Sequence, residues 1–197
     1  MKLGLFKLTS FVFFIGMQSL NAQQSENLVD VRDSKVYKTV KINSQVWMAE
    51  NLNFEIEKSA TFENLPDNGL KYGRLYTWDA ANNACPAGWH LPSDDEWKEL
   101  EKYLGMSLTE LEKIDSWRGT NQSTQLISDS TLGFNILLAG YKNPPSNFYL
   151  KDSQAFFWTS SFQNESAWFR QFYIKSPQIF RRARPKSWSF SVRCVKN

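Results

Sequence analysis

The two cysteines and the single histidine are the residues of this chain best suited to chemistry. A catalytic thiol needs a base beside it to form the thiolate, and His90 is the only imidazole that could serve Cys85 or Cys194. Because His90 lies between Trp89 and Leu91, it is equally well interpreted as a core histidine that hydrogen-bonds to the backbone. One histidine cannot build a histidine-based metal site, and no spacing in the chain is that of a zinc site.

An acidic cluster follows Ser93, where Asp94, Asp95 and Glu96 are consecutive. Three carboxylates together could bind a hard cation. Ser93 and Glu96 also have the spacing of a capping box, in which each side chain bonds a free backbone N–H of the first helical turn. Acidic residues at that position favour the positive end of the helix dipole. We therefore predict a helix start here, with no metal and no cofactor.

Basic and aromatic residues concentrate near the C-terminus, and residues 166–197 contain no acidic side chain. A basic run lies between Phe180 and Trp188. Such a surface could bind anionic glycans, phosphates or an acidic partner. The alternative is that these cations pair with the acidic N-terminal half of the same chain. The candidate ligand-binding residues are Trp158, Trp168, Arg170, Arg181, Arg182 and Arg184.

Residues 1–22 have the pattern of a signal peptide. Lys2 and Lys7 form a basic start, residues 8–17 are mostly apolar, and Ala22 is a small residue at the end. The apolar run is too short to span a bilayer, and no later segment is a transmembrane candidate. We expect an exported protein, located in the periplasm, on the outer cell surface or in the medium.

Export determines how the cysteines are interpreted. Two cysteines in an oxidising compartment pair by default. A bridge between Cys85 and Cys194 would close most of the domain into one loop and stabilise it by roughly 4–5 kcal/mol on the chain-entropy model. A free catalytic thiol remains the alternative. Without Lys2 and Lys7 the formal net charge of +3 falls to +1, so nucleic acid is not an expected partner.

Apolar periodicity predicts two main helices. The first begins after Ser93, and the second begins after Ser107 with Leu108, Leu111 and Ile114 facing inward. The residues between the predicted helices and strands have no such period. We predict a linker at residues 23–34 and loops at residues 55–70 and 116–131.

Strands are predicted where β-branched and aromatic residues cluster. The final segment alternates most clearly, with Phe190, Val192 and Cys194 on one face, so Cys194 is expected on the buried side. Residues 133–141 are apolar on both faces, which favours a central strand. The other predicted strands are residues 36–42, 45–48, 72–78, 155–161, 167–174 and 178–184.

Several ordered motifs carry a resemblance to a known family. The string CPAGWHLPSDDEW at residues 85–97, after YGRLYTWDAA at residues 72–81, resembles the Fibrobacter succinogenes major paralogous domain family. The opening at residues 36–53 (VYKTVKINSQVWMAENLN) and the ending FSVRCVK at residues 190–196 are similar to the same family. The resemblance implies one α+β domain over residues 35–197 with a C-type lectin-like fold. In that fold two main helices pack on twisted, mostly antiparallel strands, with one disulfide between the first-helix region and the last strand.

A more distant likeness is to formylglycine-generating, sulfatase-modifying enzymes. It rests on Leu91-Pro92-Ser93 before Glu96-Trp97 and on the ending of the chain, and it implies a copper oxidase. Those enzymes bind copper through a cysteine pair near the C-terminus, whereas Cys194 is alone there. The tripeptides with which C-type lectins bind sugar through calcium are also absent.

Three hypotheses for function follow. The first is an exported, non-catalytic binding or surface-interaction module whose partner is a polysaccharide, a surface protein or another envelope ligand. The second is an oxidase-like enzyme related to the formylglycine-generating proteins. The third is a purely structural envelope protein, which would lack an exposed aromatic groove. We expect the first, because no nucleophile–base pair, phosphate-binding glycine loop or dinucleotide motif is found.

Overall fold

The computed structural model of the protein describes residues 23–128 and 132–197, so the predicted signal peptide lies outside the described residues. The strands are β1 (Gln23–Asp30), β2 (Lys35–Ile42), β3 (Gln45–Met48), β4 (Ser59–Ala60), β5 (Leu75–Thr77), β6 (Trp89–His90), β7 (Ser116–Arg118), β8 (Ala139–Asn143), β9 (Asn147–Lys151), β10 (Gln154–Gln163), β11 (Ser166–Tyr173), β12 (Ile179–Pro185), β13 (Ser189–Ser191) and β14 (Val195–Lys196). The helices are α1 (Pro66–Tyr72), α2 (Trp78–Asn82), α3 (Asp94–Tyr103), α4 (Leu108–Leu111) and α5 (Gln122–Ser128), with a 3-10 turn at Phe62–Asn64.

The strands form two sheets. The smaller sheet has the order β1-β2-β3-β14-β6, and the larger has the order β4-β5-β13-β8-β10-β11-β12-β7, with β9 paired to β8. Most neighbours are antiparallel, while β10 meets β8 and β13 in parallel bridges. Each sheet contains strands from both halves of the chain. The described part of the protein is therefore mostly β-sheet.

The prediction of two main helices was wrong, because only the first is more than two turns long. Helix α3 begins with the capping box: the Ser93 hydroxyl accepts from the Glu96 N–H at 3.1 Å, and the Glu96 carboxylate accepts from the Ser93 N–H at 2.7 Å. The predicted second helix is the single turn α4. Leu111 is buried there, but Leu108 and Ile114 are 68% and 53% exposed, so they do not face inward. A capping spacing starts a turn, and without an apolar face to bury the turn is not extended.

Helix α3 covers one face of the larger sheet through Trp97, which is fully buried. The Trp97 ring lies 5.0 Å from Trp47, 5.9 Å from Phe157 and 6.1 Å from Phe172, measured between ring centroids. Rings at these distances and tilts attract one another, and this attraction adds to the stabilisation that comes from burying their apolar area. This aromatic cluster joins α3 to strands of both sheets.

A second core lies beyond the opposite face of the larger sheet and contains the disulfide. Cys85 follows α2 and Cys194 lies between β13 and β14, with their Cα atoms 5.9 Å apart. The predicted pairing and the predicted burial of Cys194 are confirmed. The alternation of the last segment does not leave its other face exposed, however. Ser191 and Arg193 are also buried, and Arg193 donates to the Asn51 side chain and to the carbonyls of Phe134 and Asn135, which lie outside the strands.

Three segments predicted to lack regular structure contain some. Residues 23–30 of the predicted linker form β1, which pairs with β2 at the edge of the smaller sheet. The polar composition of these residues gave no indication of a strand. An edge strand is stabilised by backbone hydrogen bonds as much as by burial of its side chains. Residues 55–70 contain β4, the 3-10 turn and most of α1, and residues 116–131 contain β7 and α5. Conversely, the predicted strand at residues 133–141 is irregular until β8 begins at Ala139.

Candidate functional site

Five charged side chains form a buried ionic network between α3 and the larger sheet. Arg170 donates to Asp94 at 2.6 Å and to Glu101 at 2.5 Å. Arg181 donates to both carboxylate oxygens of Asp94, at 2.9 and 2.6 Å. Arg118 donates to both oxygens of Glu101 at 3.0 Å. Because Arg170 and Arg181 are directly opposite each other on β11 and β12, the sheet presents two guanidinium groups to one face of α3.

The charges of this network stabilise one another. Burial alone would raise the pKa of Asp94, but the hydrogen bond from Arg181 and the charge of Arg170 hold it well below its usual value. Burial lowers the pKa of Arg118 to about 10, against the opposing charge of Glu101. For Arg170 the charges of Glu101 and Asp94 outweigh burial, and its pKa is raised. Asp94, Arg118 and Arg170 are therefore ionised at neutral pH, and the network connects the helix to the sheet.

Three of the predicted ligand-binding residues consequently lie in the interior. Arg170 and Trp158 are fully buried, and Arg181 is 6% exposed. The Trp158 indole N–H donates to the Tyr76 carbonyl at 2.8 Å within the second core. A ligand on the surface could not contact these side chains without opening the core. The acidic cluster was also more than a cap, since Asp94 is the partner of both buried arginines.

The other three predicted residues reach the surface on different faces of the sheet. Trp168 lies on the α3 side, with the Arg181 guanidinium 4.3 Å above its ring. Arg182 and Arg184 project from the opposite side, where Arg182 pairs with the exposed Asp115 at 3.0 Å. The predicted residues therefore do not form one site. Arg184 alone belongs to the aromatic group described next.

A row of stacked groups stands at one end of the larger sheet. The Tyr141 ring lies 5.3 Å from Tyr149 and 5.2 Å from Trp188, with interplanar angles of 29° and 14°. The Arg184 guanidinium lies 5.1 Å from the centroid of the Trp188 ring and ends the row. All four side chains are at least partly exposed. We call Tyr149, Tyr141, Trp188 and Arg184 the aromatic stack.

Strand pairing explains how distant residues form the aromatic stack. Tyr141 and Tyr149 are directly opposite each other in the β8–β9 hairpin, so their side chains share a face. Trp188 precedes β13, which runs antiparallel to β8, and Arg184 lies at the end of β12. All of these positions fall at the same end of the sheet. Beneath them, the edge-on contacts of Tyr141 with Phe156 and of Trp188 with Phe190 fix the rings to the second core.

The polar atoms of the aromatic stack are hydrogen-bond donors without a protein partner. Neither the tyrosine hydroxyls nor the Arg184 guanidinium forms a hydrogen bond or an ion pair with any residue in ranges 23–128 and 132–197. Burial lowers the pKa of Arg184, and the neighbouring charge of Arg182 lowers it further. Burial raises the pKa of Tyr141, with a further rise from Tyr149 and a smaller opposing effect of Arg184. The aromatic stack can therefore donate hydrogen bonds to the oxygen atoms of a ligand.

Sequence reasoning identified Arg184 but missed the two tyrosines. The signal that could have found them is the turn at residues 144–146. With that turn as the centre of a hairpin, residues 141 and 149 become cross-strand partners. The sequence was interpreted instead as one central strand that ended at Tyr141. That interpretation separated the two rings.

His90 and Cys85 do not form a catalytic pair, because the Cys85 sulfur is bonded to Cys194. The imidazole Nε2 lies 2.7 Å from the Glu96 carboxylate and Nδ1 lies 2.6 Å from the side-chain oxygen of Asn197. His90 thus connects the start of α3 to the end of the chain. Within the described ranges no cluster of three histidine, cysteine or acidic residues could hold a metal ion, and no helix is long and apolar enough to cross a membrane.

Comparison with known proteins gives a family and no closer relative. No curated protein and no solved structure matches the chain. The Fibrobacter succinogenes major domain matches residues 40–196, which include the whole larger sheet and the aromatic stack but not β1 or the start of β2. The match covers most of the chain, and it agrees with the motifs around Cys85 and Cys194. The chain belongs to the Fibrobacter succinogenes major domain family.

Proposed function

We propose that the chain is an exported, non-catalytic binding module and that its aromatic stack holds an extracellular glycan. The observation that carries the proposal is the set of unpartnered donors on the stack: two phenol hydroxyls and one guanidinium beside partly exposed rings. Binding sites combine aromatic surface with a few polar groups that fix orientation. A glycan suits both kinds of group, because its hydroxyl oxygens accept hydrogen bonds and its C–H faces pack on aromatic rings.

The geometry indicates how a sugar would approach. The faces of Tyr141 are occupied by its two neighbours, and the outer face of Trp188 is occupied by Arg184. Tyr149, on β9, is 42% exposed and is the stack ring with the most accessible surface. A sugar ring would therefore pack on Tyr149, and further sugar units of an oligosaccharide lying along the row would bring their oxygen atoms to the Tyr141 hydroxyl and to Arg184 at the other end. A carboxylate or sulfate on the sugar would add a charge-assisted hydrogen bond to that guanidinium.

The alternative functions are supported less well. A purely structural envelope protein would have no need for a partly exposed row of stacked rings with unused donors. An oxidase of the formylglycine-generating kind would need reactive cysteines, and Cys85 and Cys194 bond to each other. The C-type lectin-like arrangement remains our proposal for the fold. It is supported by the disulfide from the first-helix region to the C-terminal segment and by the pairing of β14 with β3 and β6, which brings the ends of the domain together.

The experiment is a glycan array probed with the mature chain, residues 23–197. The array carries neutral and acidic envelope, matrix and plant polysaccharides. Tyr149→Ala removes an exposed ring of the stack, and Arg184→Gln removes its charge. Trp117→Ala is the matched control, because Trp117 on β7 is a partly exposed ring packed edge-on against Phe180, at the end of β12 away from Arg184. We expect the first two variants to lose the signal and Trp117→Ala to keep it.

The proposal also includes export and removal of residues 1–22. It is tested by expressing the full chain in a bacterial host and measuring the intact mass of the protein outside the cytoplasm. The expected product begins at Gln23 and has no free thiol. A full-length product retained in the cytoplasm with two free thiols would contradict export.

A further inference from the structure

A row of polar side chains crosses the larger sheet on the face opposite the aromatic stack. Ser189 on β13 is directly opposite Thr77 on β5 and Lys142 on β8. Cross-strand partners project to the same face of a sheet, whereas Tyr141, which precedes Lys142, projects to the other face. Neighbouring strands are about 4.8 Å apart. The Thr77 and Ser189 hydroxyls and the Lys142 ammonium group therefore lie on one face of the sheet, on three neighbouring strands.

This row forms the wall of a surface pocket of about 200 Å³. Lys58 contributes a second ammonium group, and Ser187 contributes a further hydroxyl. No aspartate or glutamate lies in the lining, as far as the described residues go. We call this site the lysine pocket.

Several donors of the lysine pocket have no partner among the described residues, whereas the Ser59 hydroxyl, which also lines it, donates to the Ile56 carbonyl at 2.6 Å. Neither the Lys58 nor the Lys142 ammonium group forms an ion pair or hydrogen bond with the described residues, and the Lys142 ammonium lies 5.7 Å from the centroid of the Phe148 ring. Ser189 is only 5% exposed, yet its hydroxyl has no partner. The Thr77 hydroxyl is enclosed and also lacks a partner. Buried polar groups are normally hydrogen-bonded, so unpartnered ones beside a cationic pocket indicate a ligand.

We propose that the lysine pocket binds a single oxyanion group: a phosphate, a sulfate or a carboxylate, free or carried on a larger molecule. Two ammonium groups neutralise its charge, and the Ser189 and Ser187 hydroxyls orient its oxygens. The volume is below the roughly 300–1,000 Å³ of sites that enclose a whole small molecule. It therefore suits one charged group. The proposal does not rest on the aromatic stack, which occupies the other face.

The test is an NMR titration of the mature chain with inorganic phosphate, sulfate, glucuronate and glucose at low ionic strength. We expect phosphate to shift the backbone amide signals of Lys142 and Ser189, and glucose to leave them unchanged. Lys58→Gln and Lys142→Gln should each weaken phosphate binding by about tenfold or more, because a charge-assisted hydrogen bond is lost. Ser189→Ala should weaken binding without a change of charge. Lys175→Gln, at an exposed lysine after β11, is the charge-matched control.

The titrations with different anions distinguish the possible ligands. Tighter binding of glucuronate than of phosphate and sulfate identifies a sugar acid, and the reverse order identifies an inorganic or ester oxyanion. Tyr149→Ala should leave phosphate binding unchanged even if it abolishes glycan binding. The proposal is overturned if Lys142→Gln and Lys58→Gln bind phosphate as tightly as Lys175→Gln, or if glucose produces the same shifts. A variant that fails to fold is recognised by its NMR spectrum. In that case, the phosphate affinity of Ser189→Ala compared with that of the original chain decides whether the pocket binds phosphate.

Discussion

Asp94 connects two parts of the molecule through one side chain. It stands at the start of α3, and its carboxylate accepts from Arg170 and Arg181 on the sheet. Removing one partner of a buried ion pair leaves the other charge without compensation, which costs more than the pair itself contributes. Loss of the Asp94 carboxylate would therefore remove a counter-charge from both Arg170 and Arg181.

We predict that Asp94→Asn lowers the free energy of unfolding by about 3–5 kcal/mol. The measurement is urea denaturation of the purified mature chain. Asp95→Asn is the control, since Asp95 occupies the same helical turn, is 88% exposed and contacts Lys98 at 3.6 Å. The Asp95 variant should stay within about 0.5 kcal/mol of the original chain. Equal losses for the two variants would mean that helix-dipole effects, and not the network, explain the role of Asp94.

The same carboxylate makes stability depend on acid pH. Its folded pKa lies well below the ordinary value of 3.8 through Arg181 and Arg170, against the opposing effect of burial. A carboxylate whose pKa is lowered by folding contributes fully to the free energy of unfolding above the pKa of its unfolded state. That contribution is lost as the pH falls through the pKa of the folded state. We predict that the free energy of unfolding declines below about pH 4 and that Asp94→Asn declines less steeply. A parallel decline of the two proteins, measured by urea denaturation from pH 7 to pH 2, would contradict this assignment.

Among the elements, α3 depends on its capping box because the helix is only three turns long. The Ser93 hydroxyl and the Glu96 carboxylate satisfy backbone N–H groups that would otherwise lack partners. We predict that Ser93→Ala costs about 1 kcal/mol, measured by thermal or urea unfolding. Ser107→Ala, at the equivalent cap of the single turn α4, should cost less because Leu111 is the single buried residue of that turn, whereas α3 buries four. A larger loss at Ser107 would contradict this ranking of the two helices.

The disulfide holds the turn before α3 to the C-terminal segment of the chain. We predict that Cys85→Ser lowers the free energy of unfolding by about 2–5 kcal/mol. Cys194→Ser should lower it by a similar amount, and the double variant should be little worse than either single one, because all three remove the same bond. The measurement is urea denaturation with and without reductant. Additive losses in the double variant would show that the two sulfurs act separately.

Sequence patterns predicted the elements whose cause is local. The cap at Ser93 follows from spacing, and strands β2 and β3 follow from clustered β-branched and aromatic residues. The pairing of Cys85 with Cys194 spans 109 residues, but the sequence contains no other cysteine with which either could pair. The failures share a different cause. Arg170 and Arg181 carry charges that normally face solvent, and only the register of β11 on β12 beneath α3 shows that they are buried with Asp94. Likewise, Tyr141 and Trp188 meet through the pairing of β8 with β13, which no local pattern encodes.

At the scale of the whole molecule, both proposed binding sites lie at one end of the larger sheet. The ends of β5, β8 and β12 and the start of β13 fall together there. The aromatic stack lies on one face of these strand ends and the lysine pocket on the other. Rigid strands therefore hold both groups, and burial of Phe156 and Phe190 beneath the stack fixes its rings.

The most direct test of the binding proposal is to observe the stack while a ligand binds. The mature chain is titrated with the strongest binder from the glycan array, and the indole N–H of Trp188 and the guanidinium N–H of Arg184 are followed by NMR. We predict that both signals shift with one shared dissociation constant, while the indole of Trp117 does not move. Shifts at Trp117 with an unchanged Trp188, or no binder among all the polysaccharides, would contradict the proposed site.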